Sequence, residues 1–370
     1  MPNFTGTLRK NDVLGLIYNM IINQRVFSRN ITLKNRLVDK AKRNVGLYGD
    51  TELFYATDVL KSVPWGKDGA TNVLELHRPE SPECQSISID QYRQIALTLD
   101  NYLTKQAWGT EGAFNQFQTI MQGWMSDTKD LYDVTTYNAF FGTCESADEK
   151  AVDSGSQNIS FTISDKVGNA TGVEKEKLEG MYIAQKLADL IDDLAEPSRA
   201  YNDYGNLRSY DPSQLKIVFN NKWVNKIKKV DLPAIYHNDI IKMGESLNHR
   251  YFGKVVKQDI TADQNTGQYR SLIEADYGDV HVFPGDLIPS GFALTRPEHE
   301  VTHEKVNIAY TEDDTIICKI IVEYPPYLSA FSVGTSFFNP RSLTENFYTT
   351  WGHNTLEHLY NFPMITVHAD

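Results

Sequence analysis

The chain is poor in cysteine and has no long apolar run. Cys84, Cys144 and Cys318 are the three cysteines among its 370 residues. Odd in number and far apart, they fit neither a disulfide framework nor a CxxC metal knuckle, so a reducing compartment is expected. No apolar stretch approaches the roughly 18–20 residues of a membrane span, and the N-terminus lacks the basic, apolar, small-residue order of a secretory signal. A protein neither secreted nor membrane-inserted is expected. A GxxxxGK[ST] loop, a GxGxxG after a strand and a GxSxG elbow are all missing, so nucleotide binding and serine-hydrolase chemistry have no motif to stand on. No internal repeat or low-complexity stretch occurs, which excludes a solenoid and argues against long flexible linkers.

What is present is the composition of a folded protein. Hydrophobic residues make up 41% and charged residues 23%, with twenty Tyr and seventeen Phe; a disordered chain lacks such aromatic content. At about 100–200 residues per domain, the length suggests two or three units. The net charge is −12 and the pI near 5.3, which argues against a surface built throughout to grip nucleic acid. The charge is unevenly spread. Up to Asn44, nine basic residues (Arg9, Lys10, Arg25, Arg29, Lys34, Arg36, Lys40, Lys42, Arg43) face only Asp12 and Asp39, giving +7 and leaving −19 for the rest. This basic arm, 1–44, suits either contact with nucleic acid or a neighbouring subunit, or a solvated, loosely ordered terminus.

Patterning then gives the order of elements. From Val45 to Leu60 the chain reads as extended, and Pro64, Gly66, Gly69, Pro79 and Pro82 punctuate the stretch beyond it. Strand-like alternation returns at Ser86-Ile87-Ser88-Ile89 and Ile95–Leu99, so the whole region reads as a long hairpin with a projecting tip. Phe114, Phe117, Met121, Trp124, Thr128, Leu131, Thr135 and Asn138 recur at helical steps between Gly109 and Gly142, predicting a long helix or a bent pair. Ile159, Phe161 and Ile163 alternate as a half-buried strand. A second helix is predicted from Val173 to Ala195, with Leu178, Met181, Leu187, Ile191 and Leu194 as its stripe and Pro197 as its stop. LKIVF (Leu215–Phe219) alternates again, and Ile316–Val322 is near-continuously apolar, the mark of a strand buried on both faces.

One string carries the look of catalysis. His299-Glu300-Val301-Thr302-His303 is an HExxH, which on a helix places two imidazoles for zinc and Glu300 as general base, with Glu323 as a third ligand in principle. Its neighbours Thr295, Arg296, Pro297, Glu298, Glu304 and Lys305 offer no apolar face to bury, and Glu323 ends a strand before Pro325-Pro326. The stretch therefore reads as a solvated loop. His353 and His358 are five apart, which does not align them on a helix, and are expected to pack or hydrogen-bond in place. The aromatic segment from Tyr324 to Phe362 suits core and interface packing better than a ligand pocket or base-stacking platform, because it reads as strands with few basic residues. No catalytic, cofactor or metal residue is expected.

The segment GDLIPSG (Gly285 to Gly291), with YPPYLSAFSVGTSFFNPRSLTENFYTTWGHNTLEHLYNFP (Tyr324 to Pro363) after it, resembles the final domain of major capsid proteins from small short-tailed phages of the Picovirinae type. A weaker resemblance runs from Ile87 to Cys144: an extended run, Trp108-Gly109, the Phe114/Phe117 step and a long helix, in that order. The resemblance implies an α+β, HK97-like phage capsid fold: basic arm 1–44, extended-loop hairpin 45–100, peripheral domain 101–165 and 316–370 with a long spine helix, and axial domain 166–315. It implies a non-enzymatic shell subunit forming pentamers and hexamers around double-stranded DNA, in a virion assembled in the host bacterial cytoplasm. Scaffolding, portal and decoration proteins are the implied partners; DNA contact is non-specific at most, and neither membrane nor cofactor is involved. An encapsulin-like shell and a zinc peptidase using His299, Glu300 and His303 are the competing readings.

Overall fold

The computed structural model describes residues 33–44, 51–62, 76, 78–100, 111–144, 157–163, 167–168, 170–228, 245–256, 267, 275–277, 279–283, 286–291 and 309–369. The hairpin tip with Trp65, the Trp108-Gly109 dipeptide, the HExxH string and the arm before Leu33 lie outside these residues. The helices are α1 (Val38–Ala41), α2 (Glu111–Thr143), α3 (Gly172–Ala195) and α4 (Asn221–Lys228). The strands are β1 (Lys42–Asn44), β2 (Glu52–Ala56), β3 (Glu83–Ile87), β4 (Ile89–Asp100), β5 (Asn158–Phe161), β6 (Lys216–Asn220), β7 (Glu245–Leu247) and β8 (Gly253–Val256). They continue as β9 (Ala275–Tyr277), β10 (Val280–Val282), β11 (Ala309–Glu312), β12 (Ile316–Ile321), β13 (Tyr327–Asn339), β14 (Thr344–Asn354) and β15 (Met364–Ala369).

A five-stranded sheet of order β5-β15-β12-β6-β7 forms the centre. β12 lies between two antiparallel neighbours, β15 and β6, and all six of its residues are buried. Each face of this sheet has its own helix. Ile217 and Phe219 of β6, Ile317 and Ile320 of β12 and Ile365 and Val367 of β15 pack with Ile183, Leu187, Leu190 and Leu194 of α3. Val218, Ile316, Ile321 and Met364 point the other way, into a second cluster with Tyr137 and Phe141 of α2. Period-2 alternation in β6 thus divides the sheet between two cores, and in β12 the register shift between Ile316 and Cys318 resets which side chains face each core.

The helices occupy the expected ranges, but their buried stripes differ from those expected. In α3 the buried positions are Glu179, Gly180, Ile183, Leu187, Leu190 and Leu194. Leu178 and Met181 face solvent, at 36% and 53% exposure, because they lie off the 180-183-187-190-194 line that meets the sheet. In α2, Trp124 is exposed while Met125, Tyr132, Val134, Tyr137 and Phe141 are buried. Three of its threonines donate to the carbonyl four residues back (Thr128 to Trp124, Thr135 to Leu131, Thr143 to Ala139), which lets Thr135 be buried with its hydroxyl satisfied. Near its end α2 crosses the Tyr251 backbone, where a Cβ on Gly142 would collide with the Tyr251 carbonyl. Only glycine fits that crossing.

The two strand-like runs of the expected hairpin part company. β3 pairs antiparallel with β2, from Glu52 opposite Ile87 to Ala56 opposite Glu83. β4, containing Ile95–Leu99, instead joins a four-stranded sheet of order β1-β13-β14-β4. The expected domain boundary at 315/316 likewise runs through one sheet, since β12 and β15 pair with β6 and β5.

Candidate interaction surfaces and buried polar clusters

The β2–β3 ribbon has one face on the body and one face bare. Phe54, Gln85 and Ile87 turn inward, with Ile87 packing in a small cluster with Ile89, Leu328, Ala330 and Leu359. Gln85 ties the root twice: its amide donates to the His358 carbonyl at 2.9 Å and its oxygen accepts from the Tyr360 amide at 3.1 Å. At the next turn of chain, the Leu207 backbone amide and the Arg199 guanidinium hold the Asp58 carboxyl down at about 2. The outward face carries Leu53 and Tyr55 (64% exposed), and beyond the strands Val59, Leu60 (79%) and Leu76 (79%) are exposed as well. A rooted ribbon with this many bare apolar side chains marks a contact surface.

A second bare region lies at the far end of the β13–β14 hairpin, where Phe337, Phe338 and Leu343 are exposed. A third is the N-terminal part of α3, with Val173, Leu178 and Met181.

The basic arm is held by the body from Leu33 onward. Leu37, Val38 and Ala41 are buried against α2 and Tyr327, and β1 runs parallel to Tyr327–Ser329 of β13. Its cations meet carboxylates. Arg36 pairs with Asp39 and, at 3.7 Å, Asp130; Lys40 with Glu245; Lys42 with Asp133 at 4.0 Å; Arg43 with Glu52 and with Glu323 at 3.5 Å. The arm's described part is therefore ordered, and these charges are spent within the chain. Glu323, the candidate third zinc ligand, serves as a partner for Arg43 and Lys216.

His353 is buried in a polar seam between α2 and the β13–β14 hairpin. Its Nδ1 faces the Asn354 carbonyl at 2.8 Å and so carries the proton; the Tyr132 hydroxyl then donates to Nε2 at 3.0 Å. Burial depresses this imidazole's pKa, and the neutral ring stacks on Tyr327. The Tyr327 hydroxyl donates to Asp133 at 2.7 Å, and Asp133 accepts from Lys129 at 2.8 Å. The seam packs and orients; its histidine holds no free lone pair.

His358 sits in a line that the spacing of the sequence did not reveal. Its Nε2 lies 2.5 Å from Asp203 Oδ2, and its Nδ1 lies 3.9 Å from Cys144 Sγ, just past the end of α2. Gln157 donates to the other Asp203 oxygen at 2.6 Å. Burial alone lowers the imidazole pKa, but the Asp203 carboxylate and the Cys144 sulfur outweigh it and raise the group to about 10. A thiol, imidazole and carboxylate in series also describes a cysteine nucleophile. Here, however, the His358 and Asp203 side chains are 11% and 6% exposed, closed in by the packing around them. What this line does is fasten α2, the 202–206 loop and the C-terminal segment together.

The same helix end receives Lys319, fully buried on β12, whose ammonium donates to the Cys144 carbonyl. α2 has no basic residue in its own last turn, so the sheet supplies the cation that the helix dipole favours there.

His299, Glu300 and His303 lie outside the described residues. Among the described residues, no group of three or more His, Cys, Asp or Glu side chains is disposed to hold a metal, and no helix is long and apolar enough to cross a membrane.

An α+β chain with a long helix against a projecting sheet, a second helix on the central sheet and an extended ribbon has the fold of a phage capsid subunit. Two solved structures show the likeness. A chain of the capsid structure of Staphylococcus phage Andhra is 13% identical, with a TM-score of 0.54 over 100% of this chain and 88% of that one. A chain in the structure of the head fiber and inner core protein gp22 of native bacteriophage P68 is 15% identical, with a TM-score of 0.57 over 99% of this chain and 90% of that one. The HK97-like α+β fold implied by the sequence resemblance is the fold found. No protein-family model and no curated protein matches the chain.

Proposed function

We propose that this chain is the major capsid protein of a short-tailed phage, a non-enzymatic subunit that assembles into pentamers and hexamers around double-stranded DNA. The observation that carries the reading is the rooted β2–β3 ribbon with Leu53 and Tyr55 bare on its outer face, and with Val59, Leu60 and Leu76 exposed in the chain beyond its strands. Among the described residues nothing lies on that face; a closed lattice supplies an identical neighbour at every position and repeats each modest contact many times. The end-to-end likeness in fold to a chain of a phage capsid structure supports the same reading.

In this proposal 45–100 contributes the loop that lies over an adjacent subunit, through β2–β3. The peripheral unit is α2 with the β1-β13-β14-β4 sheet, and the axial unit is α3 with the central sheet. That division moves β5, β12 and β15 from the peripheral unit, where the sequence placed them, to the axial one, because sheet pairing outweighs position along the chain. The part of the arm before Leu33 carries Arg9, Lys10, Arg25 and Arg29 and is the part left to touch DNA. Scaffolding, portal and decoration proteins, and assembly in the host cytoplasm, belong to the same proposal.

Negative-stain microscopy and sedimentation of the purified chain test it. Hollow polyhedral particles are expected, and Tyr55→Asp together with Leu60→Asp, both at exposed positions, is expected to leave folded subunits that no longer close. A compact single species at every concentration, or normal particles from the double variant, would refute it; particles filled with a protein cargo would favour an encapsulin-like compartment.

A further inference from the structure

The β13–β14–β4 ribbon has two edges beside which, β1 apart, no described strand lies. β1 pairs only with Tyr327–Ser329, and among the described residues no strand lies beside Ala330–Asn339 on that side. At the opposite border, no described strand lies outside β4. Edges that stay free in solution are usually guarded by lysine, proline or a distortion. The register shift between Ala330 and Val333 bends the start of this edge, but from Val333 to Asn339 the pairing with β14 is regular. That stretch, VGTSFFN, has neither charge nor proline, and neither does QIALTL, Gln94 to Leu99, on the β4 edge.

The side chains indicate how the ribbon is covered. Neighbouring residues on a strand point to opposite faces, yet Phe337 and Phe338 are both exposed, at 62% and 48%. A partner lying flat on the ribbon would cover one ring and leave the other wet. A strand added at the edge extends both faces at once and takes up the backbone groups of the edge as well. β13 and β4 run in the same direction within one copy, since each is antiparallel to β14. Rotation about an axis along the ribbon brings the β13 edge of one copy to the β4 edge of the next in that same parallel sense. Such a head-to-tail contact closes into a ring when the rotation between copies is a whole fraction of a turn.

We propose that in the assembled shell the β13 edge, from Val333 to Asn339, pairs with the β4 edge, Gln94 to Leu99, of a second copy of this chain. The inference rests on the capsid reading and names a contact that reading leaves open. Hydrogen exchange with mass spectrometry, on particles assembled from this chain alone and on free subunits, tests it. Exchange at both 333–339 and 94–99 is expected to slow by about tenfold or more on assembly. Thr335→Lys with Ser336→Lys, charges on opposite faces at exposed positions, is expected to leave the free subunit's thermal unfolding unchanged and lower particle yield about tenfold.

Particles whose two segments exchange as in free subunits, or in which only one is protected, overturn the edge pairing and leave the capsid reading intact. So does wild-type yield from the double lysine variant. Failure to form particles under any condition overturns both.

Discussion

Asp203→Asn isolates a buried charge pair, Asp203 with His358. His358 moves from 6.5 to about 10 in the fold, and at about 1.36 kcal/mol per unit the shift bounds the linkage at roughly 5 kcal/mol. A buried pair stripped of one partner ordinarily costs about 3–5 kcal/mol, so the variant is expected to lose that much near neutral pH. The sign of the pH dependence is more telling than its size. In the wild type the folded pKa is raised, so the pair's contribution is complete below 6.5 and declines as pH rises towards 10. In the variant the carboxylate is gone and burial is opposed only by the Cys144 sulfur, so the folded pKa of His358 falls below its wild-type value and the imidazole gives up its proton at lower pH. The stability gap between the two proteins must therefore narrow as pH rises. Urea unfolding of unassembled subunits at several pH values from 6 to 10 measures it. A gap below about 1 kcal/mol near neutrality, or one that stays constant across the range, would show that His358 and Asp203 do not form a charged pair.

Two further substitutions test how α2 is placed. Gly142→Ala drives a methyl into the Tyr251 carbonyl; a loss of about 1–3 kcal/mol in thermal or urea unfolding is expected, and a neutral result would mean the crossing has room to spare. Lys319→Met keeps the volume but removes the donor to the Cys144 carbonyl at the end of α2. About 1–3 kcal/mol should be lost in the same assay.

The sequence was most readable where burial is simple and local. Ile316–Val322 reads as a strand covered on both faces because it is one, and Pro197 ends α3 because the ring cannot continue a helix. What stayed hidden depends on partners far along the chain. Leu178 and Met181 have helical spacing as good as that of Ile183 and Leu187, and only the position of the sheet decides which pair is buried. His358 and Asp203 stand 155 residues apart, so no spacing rule joins them. Lys319 interrupts an apolar strand like an error until the end of α2 is seen above it. The basic run at the N-terminus suggested a loose arm, because composition does not show that Leu37 and Val38 have a pocket.

That arm also shows how the two kinds of force divide their labour. Its ion pairs are mostly half-exposed, and such pairs contribute about 0–1 kcal/mol each. Leu37, at 1% exposure, and Val38, at 2%, each contribute roughly 1.5–3 kcal/mol by burial. Apolar packing therefore holds the segment, while Lys40, Lys42 and Arg43, each facing a different carboxylate, fix which way it runs. In the proposed shell the same logic assigns adhesion between copies to bare apolar side chains such as Tyr55 and Leu60, while a net charge of −19 beyond Asn44 gives the body no general grip on nucleic acid.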